Sequence, residues 1–301
     1  MRKGLFVMLL CLCLLPAFSA GAQTEEIDME HYLLVGADGW GRNQEGGARS
    51  DAIILASLDY GRDRITLTSF ARDSLVQPSY RKGMVKINTL VRSEEGEQAL
   101  VRYIEEAFGI PIRGRFIINF SGAVDVIDAV GGVDVELSQA EVHYIDRVAG
   151  RYDGYPLQEG VCRLNGAQAL YYMRCRELDN DFGRQGRQGK ALRAMIAGLS
   201  DITPLRALLL VDDLLGMYRT DLSVGAQFEL AIKAIALRGA NVQTHSIPAA
   251  GTFRYTQDHH GASGLEFSME RNRALLYELL EIPDPFTQSI NEDEHEAAEP
   301  S

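Results

Sequence analysis

The sequence predicts an α/β fold, a single three-layer α/β/α domain with a mixed central sheet. Short apolar segments with the spacing of strands alternate with amphipathic helical segments along the whole chain, as expected when helices cover a sheet. No interval has the composition of a linker, and no repeat period is evident. The 301 residues are 46% hydrophobic and 24% charged, which is the composition of a globular protein that can bury a sizeable core.

The individual elements follow from hydrophobic periodicity and from the residues that interrupt it. Strands are predicted at 31–38, 51–60, 64–71, 114–120, 133–137 and 242–248. Helices are predicted at 99–108, 122–130, 166–173, 187–199, 204–218, 225–239 and 269–280. The GRD sequence at 61–63 predicts a hairpin between the second and third strands. Asn165 is the predicted N-cap of the helix at 166–173.

Both ends of the chain are expected to lie outside the folded domain, which spans residues 28–285. Residues 1–22 contain a basic start, an apolar run of fifteen residues and a small-residue cleavage pattern, which together predict a signal peptide. An uncleaved membrane anchor is the alternative, although a bilayer span needs about 20 apolar residues. Either interpretation places the mature protein outside the cytoplasm, secreted or at the outer face of the membrane or the wall. Residues 286–301 are acidic and lack an apolar pattern, which predicts a disordered tail.

The predicted domain contains two cysteines, Cys162 and Cys175. In an exported protein such a pair is permitted to form a disulfide, and the bond would brace the arginine-rich segment that begins near Cys175. This reading is favoured over two buried free thiols, which remain the alternative because sequence separation does not fix the distance between two Cα atoms.

The segment YMRCRELDNDFGRQGRQGK (172–190) concentrates positive charge in a chain whose formal net charge is −12. Arg174 and Arg176 are two positions apart, so an extended chain directs both side chains to the same side. Arg184 and Gln188 share a helix face if the next helix begins early. Arginine forks bind two phosphate oxygens at once, so the segment indicates a site for a pyrophosphate. A solvated basic surface, offset by its own acidic residues, is the alternative.

Polar residues at strand ends supply a second set of candidates. Asp38 follows the first predicted strand and Asp51 begins the second, so the two carboxylates could share a hard cation such as Mg²⁺. Ordinary turn chemistry is the alternative for both aspartates. Arg72 and Asp73 leave the third strand, at the kind of sheet edge where α/β proteins bind ligands. Nothing in the sequence resembles a P-loop, a serine-hydrolase elbow or a zinc ligand set.

Seven motifs follow one another along the chain. They are LLVGAD (33–38), RSDAIILASLD (49–59), ITLTSFARDSLV (65–76), KIN (86–88), GGVDV (131–135), LNGAQALYYMRCR (164–176) and DFGRQGRQ (181–188). This ordered set, above all R-x-R followed by D-F-G-R-x-x-R-Q, resembles the LytR-CpsA-Psr family of cell-wall glycopolymer ligases. The resemblance covers roughly residues 31–280.

The resemblance implies a phosphotransferase whose α/β/α catalytic domain carries a hydrophobic lipid groove. Family members move a glycopolymer from undecaprenyl pyrophosphate to peptidoglycan, typically to the C6 hydroxyl of N-acetylmuramic acid, and form a phosphodiester link. The polymer is wall teichoic acid, capsule or a related chain. The implied partners are the lipid-linked glycan, peptidoglycan and the membrane surface, without nucleic acid. A lipid-pyrophosphate hydrolase that uses the same site, and a non-catalytic protein that binds wall glycan or polyprenyl chains, are the alternatives.

The resemblance also implies roles for single residues. Asp38 and Asp51 match the aspartates that coordinate a metal ion, Mg²⁺ or Mn²⁺. Asp73 and Arg187 match the motif as substrate-binding residues. The implied catalytic and pyrophosphate-binding set is Arg72, Arg174, Arg176, Asp181, Arg184 and Gln188. Within that set Asp181 would orient the arginines and Gln188 would contact phosphate. The motifs contain no histidine, so no general base is evident.

Overall fold

The computed structural model describes residues 28–37, 50–149, 155–199, 203–257 and 261–286. The predicted signal peptide at 1–22 and most of the predicted acidic tail lie outside these ranges. No helix within them is both long enough and apolar enough to span a membrane.

The described strands and helices alternate along the chain. The strands are Met29–Ala37 (β1), Ser50–Asp59 (β2), Arg64–Phe70 (β3), Leu75–Val76 (β4), Val85–Lys86 (β5), Gly114–Ile118 (β6), Val133–Leu137 (β7), Gly160–Leu164 (β8), Arg219–Thr220 (β9), Asn241–Ile247 (β10), Phe253–Gln257 (β11) and Ser263–Phe267 (β12). The α-helices are Glu97–Phe108 (α1), Phe120–Ala129 (α2), Gln139–Ala149 (α3), Gly166–Arg174 (α4), Asp181–Leu199 (α5), Pro204–Leu214 (α6), Val224–Ala236 (α7) and Met269–Leu280 (α8). A short 3-10 helix covers Ile87–Arg92.

The central sheet of the described chain has the strand order β10-β3-β2-β1-β6-β9. The pairs β1–β2, β2–β3 and β6–β9 are antiparallel, whereas β1–β6 and β3–β10 are parallel. The sheet is therefore mixed, as predicted. The predicted hairpin at 61–63 is confirmed, and Asp63 adopts a positive φ of 47° in that turn. The remaining strands form three small antiparallel sheets, β4–β5, β7–β8 and β11–β12.

Both faces of the sheet are covered by helices. On one face, side chains of β1 and β2 such as Leu33 and Leu55 pack in a buried cluster with Ile104 of α1 and Leu276 of α8. Each side chain buried in this way stabilises the fold by roughly 1.5–3 kcal/mol. On the opposite face, residues of β2 and β3 pack against α5. This arrangement confirms the predicted three-layer α/β/α fold.

A separate buried cluster forms below the helices of that second face. It joins α2, α3 and α4 to the antiparallel β7–β8 pair, and its members include Ile127, Leu164 and the fully buried Tyr172. Helix α4 crosses α2 closely, because a Cβ added at Gly166 would lie 2.3 Å from the Val124 carbonyl oxygen. The cluster fixes the helix that ends at Arg174.

The predicted disulfide is absent, so that expectation is wrong. Cys162 and Cys175 are both buried free thiols. The thiol of Cys162 donates to the Gln158 carbonyl at 3.0 Å instead. The chain after α4 is nevertheless braced, because Arg187 Nη2 donates to the Cys175 carbonyl at 2.7 Å.

Candidate active site

Asp51 lies at an irregular step in the ladder between β1 and β2. Gly36 pairs with Ala52 and Ala37 pairs with Ser50, so Asp51 is the extra residue of a β-bulge. A bulge bends its strand and changes the direction of the extra side chain. The carboxylate of Asp51 lines a cavity beside the sheet.

Strand register brings Arg72 to Asp51. Strands β2 and β3 are antiparallel and pair Ile54 with Ser69, so continuing the register three residues places Arg72 opposite Asp51. Arg72 Nη1 donates to Asp51 Oδ1 at 2.8 Å. The motifs at 49–59 and 65–76 are separate in the sequence, and here they meet where the neighbouring strands β2 and β3 begin and end.

The KIN motif positions the residues around Arg72. The Asn88 amide donates to the Arg72 carbonyl at 3.2 Å, and Lys86 Nζ lies 3.1 Å from Asp73 Oδ1. Asp73 Oδ2 lies 3.5 Å from Arg72 Nε. Lys86 and Asn88 belong to the family motif, but no physical role for them could be predicted from the sequence. Asp73 faces these cations and does not line the cavity.

Arg174 and Arg176 follow from the end of α4. The predicted N-cap is confirmed, because Asn165 and Gln168 form a reciprocal capping box. The helix ends at Arg174, and Cys175 has extended ψ. Arg176 Nη2 lies 3.4 Å from Asp51 Oδ1, and the guanidinium of Arg174 lies 3.9 Å from the centre of the Phe120 ring, a cation–π contact.

Helix α5 begins six residues earlier than predicted and so places Arg184 in the site. The Asn180 side chain accepts hydrogen bonds from the amides of Phe182 and Gly183, which starts the helix. Arg184 Nη2 lies 2.7 Å from Asp181 Oδ1 and 3.4 Å from the Asp51 carbonyl oxygen. As predicted for an early start, Arg184 and Gln188 line the same cavity.

Asp181 links two arginines. Its Oδ1 lies 3.4 Å from Arg72 Nε and 2.7 Å from Arg184 Nη2. Burial lowers the pKa of the Arg184 guanidinium, and the charges of Arg72 and Arg176 act in the same direction, whereas Asp181 opposes them. In this cluster the arginines therefore outnumber the aspartates that hold them.

Unsatisfied donors mark this cluster as a place for an anion. Only 2% of Arg184 is exposed, and its Nε and Nη1 have no hydrogen-bond partner within the described chain. The buried Nε of Arg72 makes no hydrogen bond there either, although carboxylate oxygens of Asp181 and Asp73 lie 3.4 and 3.5 Å from it. A buried donor without a partner costs about 1–3 kcal/mol, a cost that a bound acceptor removes. The solvated basic surface considered from the sequence is therefore wrong for Arg184.

Arg187 has a different environment from the other arginines. It is buried, and its two terminal nitrogens donate to both oxygens of Asp179 at 2.8 and 2.6 Å. Burial alone lowers the pKa of Arg187, but the pair with Asp179 outweighs it and the pKa is raised. Glu141 lies 3.8 Å away. The structure thus places Arg187 behind the site, where it braces the chain between α4 and α5, and its substrate-binding role stays a prediction.

The cavity has a volume of about 1020 Å³ and lies between the sheet and helices α2 to α6. One part of its wall is the charged cluster. The larger part is apolar and comes from the sheet and from these helices, with Leu34, Ile54, Phe116, Val126, Leu170, Leu192, Met195 and Leu214 among its residues. Arg92, Asn119 and Glu177 also line it and were not predicted from the sequence. No histidine is among the described lining residues.

The predicted metal site is described in part. Asp38 lies outside the described residues, and the ranges that are described contain no group of three or more His, Cys, Asp or Glu side chains able to hold a metal. Magnesium ions commonly take one or two carboxylates and complete their shell with water and substrate phosphates. Asp51 fits that pattern, because both of its arginine contacts within the described chain use Oδ1 and leave Oδ2 for a cation.

The fold and the site together define a class of protein. It is an α/β/α protein in which clustered arginines, held by aspartates, form one wall of a large apolar cavity. Such a site suits a ligand that joins a strongly anionic group to a long apolar chain. The model of the LytR_cpsA_psr family matches residues 18–278, so the chain belongs to the LytR-CpsA-Psr family.

Two similar relatives carry the same name, polyisoprenyl-teichoic acid–peptidoglycan teichoic acid transferase TagU. The protein from Oceanobacillus iheyensis is 33% identical over 239 residues, which is 75% of this chain and 69% of the relative. The protein from Halalkalibacterium halodurans is 33% identical over 245 residues, which is 78% of this chain and 73% of the relative.

Solved structures confirm the fold. The crystal structure of TagV from B. subtilis has a TM-score of 0.67 and 24% identity, and the match covers 86% of this chain and 99% of TagV. TagT bound to LIIa-WTA has a TM-score of 0.68 and 23% identity, with 84% of this chain and 89% of TagT covered.

Proposed function

We propose that this protein transfers an anionic glycopolymer from a polyprenyl pyrophosphate carrier to peptidoglycan. The observation that carries the proposal is the convergence of Arg72, Arg174, Arg176 and Arg184 on the wall of one apolar cavity. The relatives named as teichoic acid transferases support the same donor and acceptor classes. The finer expectations are that the carrier is undecaprenyl pyrophosphate and that the acceptor is the C6 hydroxyl of N-acetylmuramic acid.

The cavity is the proposed lipid groove. Its apolar wall removes prenyl groups from water, at about 25 cal/mol for each Å² of apolar surface buried. The arginines meet the pyrophosphate, whose charge needs several forks for neutralisation. A carrier lipid resides in a membrane, so the membrane surface outside the cytoplasm is the proposed place of action.

The reaction is a displacement at phosphorus. The oxygen of the acceptor hydroxyl forms a bond to the phosphorus that bears the glycan, and the bond from that phosphorus to the bridging oxygen breaks. Polyprenyl phosphate leaves with the bonding electrons, the hydroxyl proton is released, and the glycan is joined to the acceptor by a phosphodiester. Catalysis of phosphoryl transfer depends mainly on positioning and on charge stabilisation.

The described side chains supply both. Arg184 carries its charge in a nearly dry position, where each hydrogen bond to a phosphate oxygen is stronger than in water. Asp181 fixes the orientation of Arg72 and Arg184, and Gln188 provides a neutral amide at the same wall. Asp51, with Asp38, would hold Mg²⁺ or Mn²⁺, which when bound supplies further positive charge for the phosphates. The candidates for accepting the hydroxyl proton are the carboxylates, since the described cavity wall has no histidine.

The decisive experiment supplies purified protein with a glycan linked to polyprenyl pyrophosphate, with and without peptidoglycan. We expect a phosphodiester-linked product only when peptidoglycan is present. Release of phosphate-terminated glycan without peptidoglycan would support the hydrolase instead. Absence of either product, with the lipid still bound, would support a non-catalytic binding protein.

A matched pair of variants tests the role of the arginine cluster in the same assay. Arg176 pairs with Asp51 at the cavity, whereas Arg163 pairs with Asp134 elsewhere on the surface. Both side chains are 52% exposed, so truncation of either should leave the fold intact. Arg176→Ala should lower transfer by about 10²-fold, by analogy with a lost oxyanion donor, and Arg163→Ala should not. Equal activities would refute the assignment of the site.

A further inference from the structure

Three aromatic rings form a continuous row next to the arginine cluster. Phe182 stacks on Phe253, with ring centres 5.0 Å apart and an interplanar angle of 23°. Phe253 meets Tyr255 edge to face, with centres 5.7 Å apart. Phe182 is the second residue of α5, and the other two lie on β11. Tyr255 is 66% exposed, which is unusual for a ring of this size.

Two connections fix this row relative to the proposed reaction site. Phe182 directly follows Asp181, the residue that holds Arg72 and Arg184. On the other side, the Leu265 amide donates to the Asp73 carbonyl at 2.9 Å, and Leu265 is the cross-strand partner of Tyr255. The β11–β12 hairpin is thus attached to the loop that carries the Arg72 backbone.

Polar side chains of β11 and β12 extend the row of aromatic rings. Alternate residues of a strand share one face, so Gln257 follows Phe253 and Tyr255 on the same side of β11. Ser263 of β12 pairs with Gln257 and shares that side. From Phe253 to Gln257 the face extends about 14 Å, at about 3.4 Å for each residue. We call Phe182, Phe253, Tyr255, Gln257 and Ser263 the aromatic ledge.

One exposed ring, with two half-buried rings beside it and amide and hydroxyl groups at its end, suits a saccharide. A pyranose ring offers an apolar face of C–H groups that packs on an aromatic face, and its hydroxyl groups lie at its edge, within reach of polar neighbours. The length of the ledge fits a short run of sugars better than a single ring. No residue of the ledge lines the cavity, so this surface is separate from the proposed lipid groove.

We propose that the aromatic ledge binds the acceptor glycan strand of peptidoglycan, an inference that rests on the proposed function. The donor glycopolymer is anionic and is held through its pyrophosphate by the arginines. The ledge has no charged side chain, which favours an uncharged sugar backbone. In a displacement at phosphorus the acceptor also approaches from the side opposite the leaving lipid phosphate. The cavity receives the lipid, and the ledge lies outside it.

Tyr255→Ala tests this assignment, because the exposed ring contributes little to the core. The matched control is Tyr155→Ala, which removes another tyrosine that is 45% exposed and whose backbone contacts Gln168 of α4. Tyr255→Phe keeps the ring and should behave as wild type. Binding is measured by cosedimentation with purified peptidoglycan stripped of attached polymer, without any lipid donor. Transfer is measured separately, as KM for peptidoglycan and KM for the lipid-linked donor.

We expect Tyr255→Ala to weaken peptidoglycan binding and to raise KM for peptidoglycan by about five- to tenfold, as for truncation of an interface aromatic. The KM of Tyr255→Ala for the donor should stay unchanged. Tyr155→Ala and Tyr255→Phe should bind and react as the wild type does. Unaltered binding and kinetics, or a rise in the donor KM alone, would refute the proposed role of the aromatic ledge but not the proposed transferase function. Weakened binding by a protein that shows no transfer would uphold the ledge and refute the proposed function.

Discussion

Arg184 is a cation in a place where lysine would serve less well. Its side chain is almost completely buried, and its pKa is lowered by that burial, yet a guanidinium stays protonated at any physiological pH. The planar fork lets Nη2 contact Asp181 while Nε and Nη1 remain directed elsewhere. Fixed donors of this kind need no reorganisation when charge develops during a reaction.

Asp51 contacts two arginines and is also an expected ligand of the metal ion. The roles of the metal ion and of this carboxylate can both be tested. EDTA should suppress polymer transfer by the wild type, and Mg²⁺ or Mn²⁺ should restore it. Asp51→Asn should lower activity by about 10²-fold or more, without rescue by excess metal, because the carboxylate charge is lost. Asp134→Asn removes a surface carboxylate that pairs with Arg163 and is the control. A wild type indifferent to chelation would exclude the metal role.

We expect the free energy of unfolding to depend on pH through the buried side chain of His31. It is buried on β1 beside Ser57, and burial lowers its pKa from 6.5 to about 4. The unfolded chain therefore binds a proton between these values while the folded chain does not, so stability falls as the pH decreases through that window. Between about pH 7 and about pH 5 this single group should cost about 2 kcal/mol.

Urea unfolding at these two pH values measures that cost. His31→Asn keeps a polar partner for Ser57 but cannot titrate, so it should lose about 2 kcal/mol less than the wild type on acidification. Other groups titrate equally in both proteins and cancel in the comparison. The same loss in both would show that His31 is not the group responsible.

At the scale of the element, the turn from α4 to α5 depends on a glycine. A Cβ added at Gly183 would lie 2.0 Å from Asp179 Oδ2, whereas Gly186 on the same helix has no atom within 4 Å of that position. Asp179 is not free to move, because both of its oxygens accept hydrogen bonds from the buried Arg187. A shift of Asp179 weakens both of its hydrogen bonds to this buried cation, whose other contacts are the Cys175 carbonyl at 2.7 Å and Glu141 at 3.8 Å.

Alanine at the two glycines should therefore have opposite effects. Gly183→Ala should destabilise the protein by about 2 kcal/mol or more and should reduce transfer, because it separates Asp179 from Arg187. Gly186→Ala should stabilise it by about 0.5–1 kcal/mol, the usual gain from alanine in a helix. Thermal unfolding with parallel activity measurements distinguishes them. A stabilised and fully active Gly183→Ala would show that Asp179 does not brace this turn.

At the scale of the whole molecule, the cavity lies between the central sheet and the helices that cover it. A larger side chain on one of these helices can therefore reduce its volume. Ala123 of α2 lines it, whereas Ala197 of α5 is exposed. Ala123→Trp should lower transfer from an undecaprenyl-linked donor by about tenfold or more, because the indole would occupy the space that the proposed function assigns to prenyl groups. A donor with a short prenyl chain should be affected less.

Ala197→Trp is the control for the added indole. It should leave both donors unaffected, and far-UV circular dichroism should show that both variants are folded. An equal loss for long and short donors with Ala123→Trp would indicate damage to the fold or to the arginine cluster, not a blocked lipid groove.

The sequence predicted those parts of the fold that local chemistry determines. Asn165 was recognised as a helix cap, and the shared face of Arg184 and Gln188 followed from their spacing. The early start of α5 was missed, because Gly183 and Gly186 weaken the helical pattern in its first turns. Eight elements of the described chain were not predicted: α3, the 3-10 helix and the strands β4, β5, β8, β9, β11 and β12.

Contacts that depend on how separate elements pack against one another could not be predicted from the sequence. The bulge at Asp51 depends on the register of β1, and the Arg187–Asp179 pair depends on how α5 is seated against the chain after α4. The aromatic ledge joins residues more than seventy positions apart, so it has no local signal. Sequence motifs identified the residues of the arginine cluster, but its depth and its unsatisfied donors are properties of the packed chain.

The contacts of Asp51 have a consequence for turnover. Its carboxylate occupies the ends of Arg72 and Arg176 in the free protein, and so acts as an internal substitute for phosphate. Asp51 already contacts both guanidiniums in the free protein, so binding of the proposed donor should cost these side chains less rotational freedom. In the proposed reaction the aspartate would reclaim both guanidiniums as the lipid phosphate departs, which would favour release of a product that its charge otherwise holds tightly.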